Sequence, residues 1–177
     1  MEITSIAART QLPTGTWHVD PAHSRIEFAA KHLGIATVRG AFREFEGTLD
    51  LDEGRCYGTV KTASLDTNND RRDNHLRSRH FFEVEEHPEL RYESTAIRPL
   101  GEDNFEIEGD LTIRGVTNTI VLRAELRASD ADPRGNERIT LEATGKLDRS
   151  DWGMTFARPV VSDRVTLQLL IAAVKQV

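Results

Sequence analysis

Asp20, His23 and Ser24 stand within five positions of one another and offer the residue types of a charge-relay hydrolase. Such chemistry needs the base within hydrogen-bond reach of the nucleophile. Adjacent residues on an extended segment point to opposite faces, so His23 is not placed to take a proton from Ser24. No G-x-S-x-G elbow occurs in the chain. Asp20 and Ser24 read instead as turn residues around Pro21, with side chains bonding the backbone. Six histidines (His18, His23, His32, His75, His80, His87) invite a metal reading, but they form no H-E-x-x-H pattern and no cysteine pair accompanies them. His75 and His80 are five apart, which does not place them on one helix face. No metal site is expected. His75 is expected to hydrogen-bond near an opening and orient Asp73 or Asn74, and His32 to be a satisfied core histidine. Cys56, the single cysteine, has no evident base and can form no intrachain disulfide. Glycine-rich phosphate loops are absent, so no catalytic residue and no cofactor is assigned.

What remains is apolar. Asp70 to Tyr92 interrupts an otherwise strand-like chain. Asp73-Asn74-His75-Leu76-Arg77-Ser78 carries charges and helix formers, Phe81-Phe82 sets two large rings side by side, and His87-Pro88 ends the insert. The pattern predicts one short helix over about 70–79, followed by an aromatic pair that must be buried against something.

The rest of the chain must supply that surface. Apolar and polar residues alternate with period two over about eight segments. The clearest runs are Phe105, Ile107, Gly109, Leu111 and Ile113; Ile120, Leu122, Ala124, Leu126 and Ala128; Ile139, Leu141, Ala143, Gly145 and Leu147; and Val165, Leu167, Leu169, Ile171 and Ala173. Each segment has one apolar face, and no helical layer exists to cover it. The sheet must close on itself, and segments of eight to twelve residues suit a barrel better than a sandwich. The predicted fold is all-β, an eight-stranded antiparallel β-barrel with one helical insert. It occupies 16–177 as a single domain after a flexible tail at 1–15. Glycine and alanine recur on the inner rows (Ala30, Gly109, Ala124, Ala128, Ala143, Gly145). A solid core would prefer bulkier residues, so an apolar cavity is expected.

The totals restrict the partners. With 177 residues and a net charge of −6, the chain has no basic stripe for nucleic acid. No stretch approaches the roughly 20 apolar residues of a membrane span. Met1 to Gly15 lacks the basic and apolar regions of a secretory signal, so a cytoplasmic location is expected.

Laid out in this way, the chain resembles the YceI-like family, the polyisoprenoid-binding, lipocalin-like barrels. The resemblance runs from Trp17 to Lys175. It is carried by Trp17-His18-Val19-Asp20-Pro21-Ala22-His23-Ser24, Lys31-His32-Leu33-Gly34, Val38-Arg39-Gly40-Ala41-Phe42, Asp73 to Ser78, Phe81-Phe82, His87-Pro88, Gly109-Asp110-Leu111-Thr112-Ile113-Arg114-Gly115-Val116-Thr117 and Asp151-Trp152-Gly153-Met154. The order and spacing are specific, although each piece alone is weak. His80 stands where the family usually has an aspartate, and Trp152 where it more often has a phenylalanine. The resemblance implies a lipocalin-like barrel holding a long isoprenoid of polyprenyl or quinone type, and a homodimer. The expected lining is Phe28, Phe42, Leu49, Phe81, Phe82, Phe105, Ile107, Leu111, Leu122, Leu126, Leu141, Trp152 and Leu167, with Asn74, His75 and Arg77 at the cavity rim. The function expected is binding, sequestration or transport of that ligand. The alternatives are an isomerase or cyclase acting on a lipid-like substrate in the same cavity, and a filled barrel acting as a stress or interaction protein.

Overall fold

A computed structural model describes residues 12–177. The expected tail at 1–11 lies outside the described residues. Residues 12–15, expected to be flexible, are tied to the barrel: Leu12 packs on the core, the Gly15 amide donates to Asp52 Oδ1 (2.8 Å), and Trp17 Nε1 donates to the Thr14 carbonyl (3.1 Å).

Among the described residues, eleven strand segments run in chain order: β1 (Thr16–Val19), β2 (Arg25–His32), β3 (Ala36–Phe42), β4 (Phe45–Asp50), β5 (Arg55–Lys61), β6 (Leu65–Asp66), then helix α1 (Asp70–Arg77), then β7 (Glu89–Gly101), β8 (Asn104–Ile113), β9 (Val116–Ala131), β10 (Glu137–Asp148) and β11 (Val161–Lys175). They reduce to eight positions around a ring, because the first six segments are three bent strands. A turn at Pro21–His23 separates β1 from β2, where Pro21 removes a ladder donor and Asp20 accepts from the Ala22 amide. β1 pairs with β4, while β2 pairs with β3. Likewise β4 pairs with β5, and β3 with β6 across the turn at Thr62–Ser64. From β7 onward each strand pairs with the next. β11 closes the ring against both β1 and β2. The result is the expected closed eight-stranded antiparallel barrel.

The four clear alternating rows face inward, and charged residues face outward in cross-strand pairs such as Arg127–Glu142 (2.7 Å) and Arg98–Glu106 (3.3 Å). Such exposed pairs contribute little individually. Among the described residues, no helix is long and apolar enough to cross a membrane. Two packed clusters occupy the interior. At one end Trp17, Phe105, Leu126, Ile139 and Ala173 meet; toward α1 the cluster is Phe42, Leu65, Ile113, Leu147, Trp152 and Met154. Tyr92, Ile107 and Leu169 pack against both clusters, which marks the middle of the barrel.

His32 is not a core histidine. It pairs with Ala36 at the turn end of the β2–β3 hairpin, past the inward row, and its side chain is exposed.

Candidate functional site

The barrel interior holds about 290 Å³ of space, bordered mostly by apolar side chains from β1 through β11 and from the segment around α1. Ten of the predicted lining residues border it: Phe28, Phe42, Leu49, Phe81, Phe82, Ile107, Leu111, Leu122, Leu141 and Leu167. Phe105, Leu126 and Trp152 do not. Phe105 and Leu126 point inward but lie too far toward the β1 end, where they close the barrel floor. Trp152 is 2% exposed, and its Nε1–H donates to the Leu111 carbonyl (2.9 Å), so it plugs the wall at the other end. Alternation along a strand tells which face a side chain takes. It does not tell its depth along the barrel axis.

The small inner residues divide in the same way. Ala30, Ala124 and Ala143 border the cavity. Ala128 lies beyond a register shift in the β9–β10 pairing and does not. Gly109 and Gly145 admit neighbouring side chains: a Cβ on Gly145 would come within 2.6 Å of Leu122, and one on Gly109 within 2.4 Å of the Tyr92 hydroxyl. These glycines are sites of close packing, where a neighbour fills the room that the missing side chain leaves.

The cap is built from α1 and the turn that follows. Asn69 caps the helix by accepting from the Arg72 amide (2.9 Å). Buried Asp73 accepts from the Thr67 amide (2.9 Å) and hydroxyl. Arg77 binds the Ala63 and Leu65 carbonyls (3.0 and 2.9 Å) and Asn74 Oδ1 (3.2 Å), fastening the helix to the turn before β6. Leu76, Phe81 and Phe82 border the cavity, and Phe82 meets Phe42 edge-on at 5.7 Å. Asn74, His75 and Arg77, placed at the rim from sequence, do not border the cavity; they hold the cap from outside. The helix ends at Arg77, so His80 lies in the following turn and folds back to His75, with 2.9 Å between Nε2 and Nδ1. The five-residue spacing that separates them on a helix brings them together here. His80 stacks on Phe156 at 4.0 Å, and His75 meets Phe81 edge-on. His75 thus orients His80, and neither Asp73 nor Asn74.

Residues that the sequence reading passed over complete the site. Arg149, 4% exposed, borders the cavity and donates to three carbonyls: Met154 (2.7 Å), Ser162 (3.0 Å) and Val161 (3.0 Å). Its guanidinium lies 5.8 Å from the Phe81 ring centre, and burial lowers its pKa against the opposing pull of Asp163. Met154, Leu76 and Tyr92 also border the cavity. An arginine in an irregular loop gives no periodic signal, which is why the pattern left Arg149 unread.

The hydrolase constellation does not assemble. His23 Nδ1 reaches Asp20 Oδ2 (2.7 Å), but the buried Ser24 hydroxyl donates to the Asp20 carbonyl (2.7 Å) and accepts from the Ala172 amide (2.9 Å). Ser24 is therefore a splice between the first turn and β11. Burial pushes the Cys56 thiol pKa up, so it sits in the cavity wall as a neutral, weakly polar group.

The YceI-like domain profile matches residues 17–173. The chain belongs to the YceI-like family. Among curated YceI-like relatives, a UPF0312 protein of Photorhabdus laumondii is 36% identical over 159 residues, covering 87% of this chain and 82% of the relative. Protein YceI of Salmonella arizonae is 35% identical over 159 residues, covering 87% and 83%. The YceI protein of Campylobacter jejuni superposes with a TM-score of 0.76 at 30% identity, covering 83% of this chain and 90% of that one. A polyisoprenoid binding domain from Saccharophagus degradans shares the fold, with a TM-score of 0.73, 14% identity, and coverage of 90% and 98%.

Proposed function

We propose that this YceI-like barrel binds one apolar, isoprenoid-type molecule in its interior and carries or sequesters it. The observation that carries the reading is the interior space of about 290 Å³ with an almost wholly apolar wall. An empty apolar cavity of about 150 Å³ already takes up benzene, and small-molecule sites start near 300 Å³. Each buried CH₂ contributes about 0.8 kcal/mol, so a five-carbon isoprene unit gains several kcal/mol before the cost of ordering the chain. No charged anchor is needed. The domain of Saccharophagus degradans, named for polyisoprenoid binding, supports the same chemistry on the same fold. The volume favours a compact chain of a few units, and a longer one must displace Phe81 and Phe82 or extend past them. A cytoplasmic setting and a homodimer belong to the proposal; cell fractionation and analytical ultracentrifugation test them.

Titration with all-trans-farnesol tests the binding. Wild-type protein is expected to take up one equivalent. Ala143→Leu, which puts a larger side chain into the void, is expected to weaken uptake at least tenfold while circular dichroism and melting stay close to wild type. Equal uptake by a folded Ala143→Leu variant would contradict an interior site.

A further inference from the structure

The turn from β2 to β3 carries its bulk outward. Ile35 donates its amide to the His32 carbonyl (3.1 Å), and the two residues between them, Leu33 and Gly34, both have positive φ (54° and 68°). This backbone suits asparagine or aspartate before the glycine, and a bulky apolar residue there is strained. Leucine nonetheless stands there, 62% exposed, and Ile35 beside it is 85% exposed. The barrel packing explains neither side chain.

Two further apolar residues join them. The Leu33 amide donates to the Val160 carbonyl (2.8 Å) in the loop before β11, and the Val161 amide donates to the Ala157 carbonyl (2.8 Å), which folds that loop beside the turn. Val160 and Phe156 are exposed as well, and Phe156 extends the patch to the cap by stacking on His80 (4.0 Å) and meeting Phe81 edge-on (5.7 Å). Of nine large apolar side chains exposed among the described residues, these four share one face. Apolar residues exposed singly need no partner, whereas a cluster marks an interaction site. Next to this face, Ala30, Phe81 and Val161 border the cavity. The wall is interrupted at the same place: His32 pairs with Val161 and Ala30 with Val165, so three residues of β11 stand opposite one of β2. Arg149 takes the Val161 and Ser162 carbonyls there.

Charge selects the partner. Segments 31–36, 75–82 and 152–162, which build this face, hold Lys31, Arg77, Arg79 and Arg158 and no acidic residue, in a chain of net charge −6. Arg77 is turned onto backbone carbonyls, while Lys31, Arg79 and Arg158 are exposed. Of the acidic residues next to these segments, Glu83 pairs with Arg114 (3.6 Å) and Asp163 is bound to Ser150, which leaves Asp151 exposed. Charges more than about 8 Å away are screened at physiological ionic strength, so the face acts through its own cations rather than through the net charge of the chain.

We infer that this face docks on an anionic lipid bilayer. Leu33, Ile35, Phe156 and Val160 enter the interface, and Lys31, Arg79 and Arg158 meet the headgroups. The capped end of the cavity then faces the bilayer, so an apolar ligand passes between the two without crossing water; that consequence, unlike the docking itself, rests on the interior binding proposed above.

Co-sedimentation with vesicles tests the docking, using phosphatidylcholine alone and equal parts phosphatidylcholine and phosphatidylglycerol. Wild type is expected to bind the anionic vesicles about tenfold or more tightly than the neutral ones, and to come off as salt rises. Leu33→Gln with Ile35→Gln is expected to weaken that binding about tenfold, with melting and vesicle-free farnesol uptake unchanged, because both side chains stand outside the core. Arg79→Gln with Arg158→Gln is expected to abolish the preference for anionic vesicles. No binding to anionic vesicles, or binding undiminished in Leu33→Gln with Ile35→Gln, would overturn the inference. A dimer that this variant dissociates, with no vesicle binding, would also overturn it and assign the face to a second copy of the chain. Docking without farnesol uptake would leave this inference standing and overturn the interior site; uptake without docking would do the reverse.

Discussion

The Tyr92 ring occupies the place that a side chain at Gly109 would need: a Cβ there would lie 2.4 Å from the phenolic oxygen and 2.5 Å from Cζ. Strands β7 and β8 therefore share one side-chain volume between two positions, and the inner wall is smooth at mid-barrel because one of them is glycine.

Gly109→Ala is expected to destabilise the barrel by about 2 kcal/mol, since overpacking a fitted core costs about 1–3 kcal/mol. For a chain of this size that is a fall of roughly 4–8 °C in Tm. Combining it with Tyr92→Leu should recover part of the loss, because the two residues compete for one space. Strict additivity in the double-mutant cycle, read by thermal melting, would count against that sharing.

Phe81 and Phe82 close the α1 end. Phe82 meets Phe42 edge-on, while Phe81 packs beneath His75 and Phe156 and under the Arg149 guanidinium. Replacing both with alanine is expected to speed ligand dissociation about tenfold or more while the barrel still unfolds cooperatively. The cap can open locally without loss of the strand ladder, so the global transition does not carry the whole penalty of two deleted rings. Stopped-flow displacement and circular dichroism melting report the two effects separately; equal loss of fold and ligand would make the pair ordinary core.

Arg149 fixes the loop between β10 and β11 through three carbonyls. Arg149→Lys supplies charge but not the planar fork, and leaves buried carbonyls without donors. The expected loss is about 3 kcal/mol, measured by chemical denaturation. A loss below about 1 kcal/mol would mean that water replaces the guanidinium.

Asp163 serves the same loop, accepting from the Ser150 hydroxyl (2.7 Å) and amide (2.9 Å). Burial opposes its ionisation, but these hydrogen bonds, with Arg158 and Arg149, hold its pKa below the ordinary carboxylate value. A depressed folded pKa stabilises the fold above the unfolded value near 4, and that contribution is lost as pH falls through the folded one. Asp163→Asn should therefore melt below wild type at pH 7, with the gap closing toward about pH 3. A gap independent of pH would show that the amide fails for a reason other than charge.

Period-two alternation made the barrel legible in the sequence because a closed sheet has one wet face and one dry face. Ile139 to Leu147 and Val165 to Ala173 were read onto the correct face for that reason. The breaks that divide three bent strands into six segments are harder to see, since Pro21 looks like a strand end although β11 runs past it. Depth along the axis was not legible at all. Phe105 and Ile107 share a face and differ only in which layer of the barrel they fill. Cap contacts such as His75 with His80 depend on where α1 stops, and a residue count alone does not show that.

Native mass spectrometry of the protein purified from its own host tests the central claim most directly. The predicted result is an added mass, released on denaturation and matching an isoprenoid-type molecule. A bare polypeptide mass, unchanged after incubation with farnesol, would contradict an interior built to hold such a molecule.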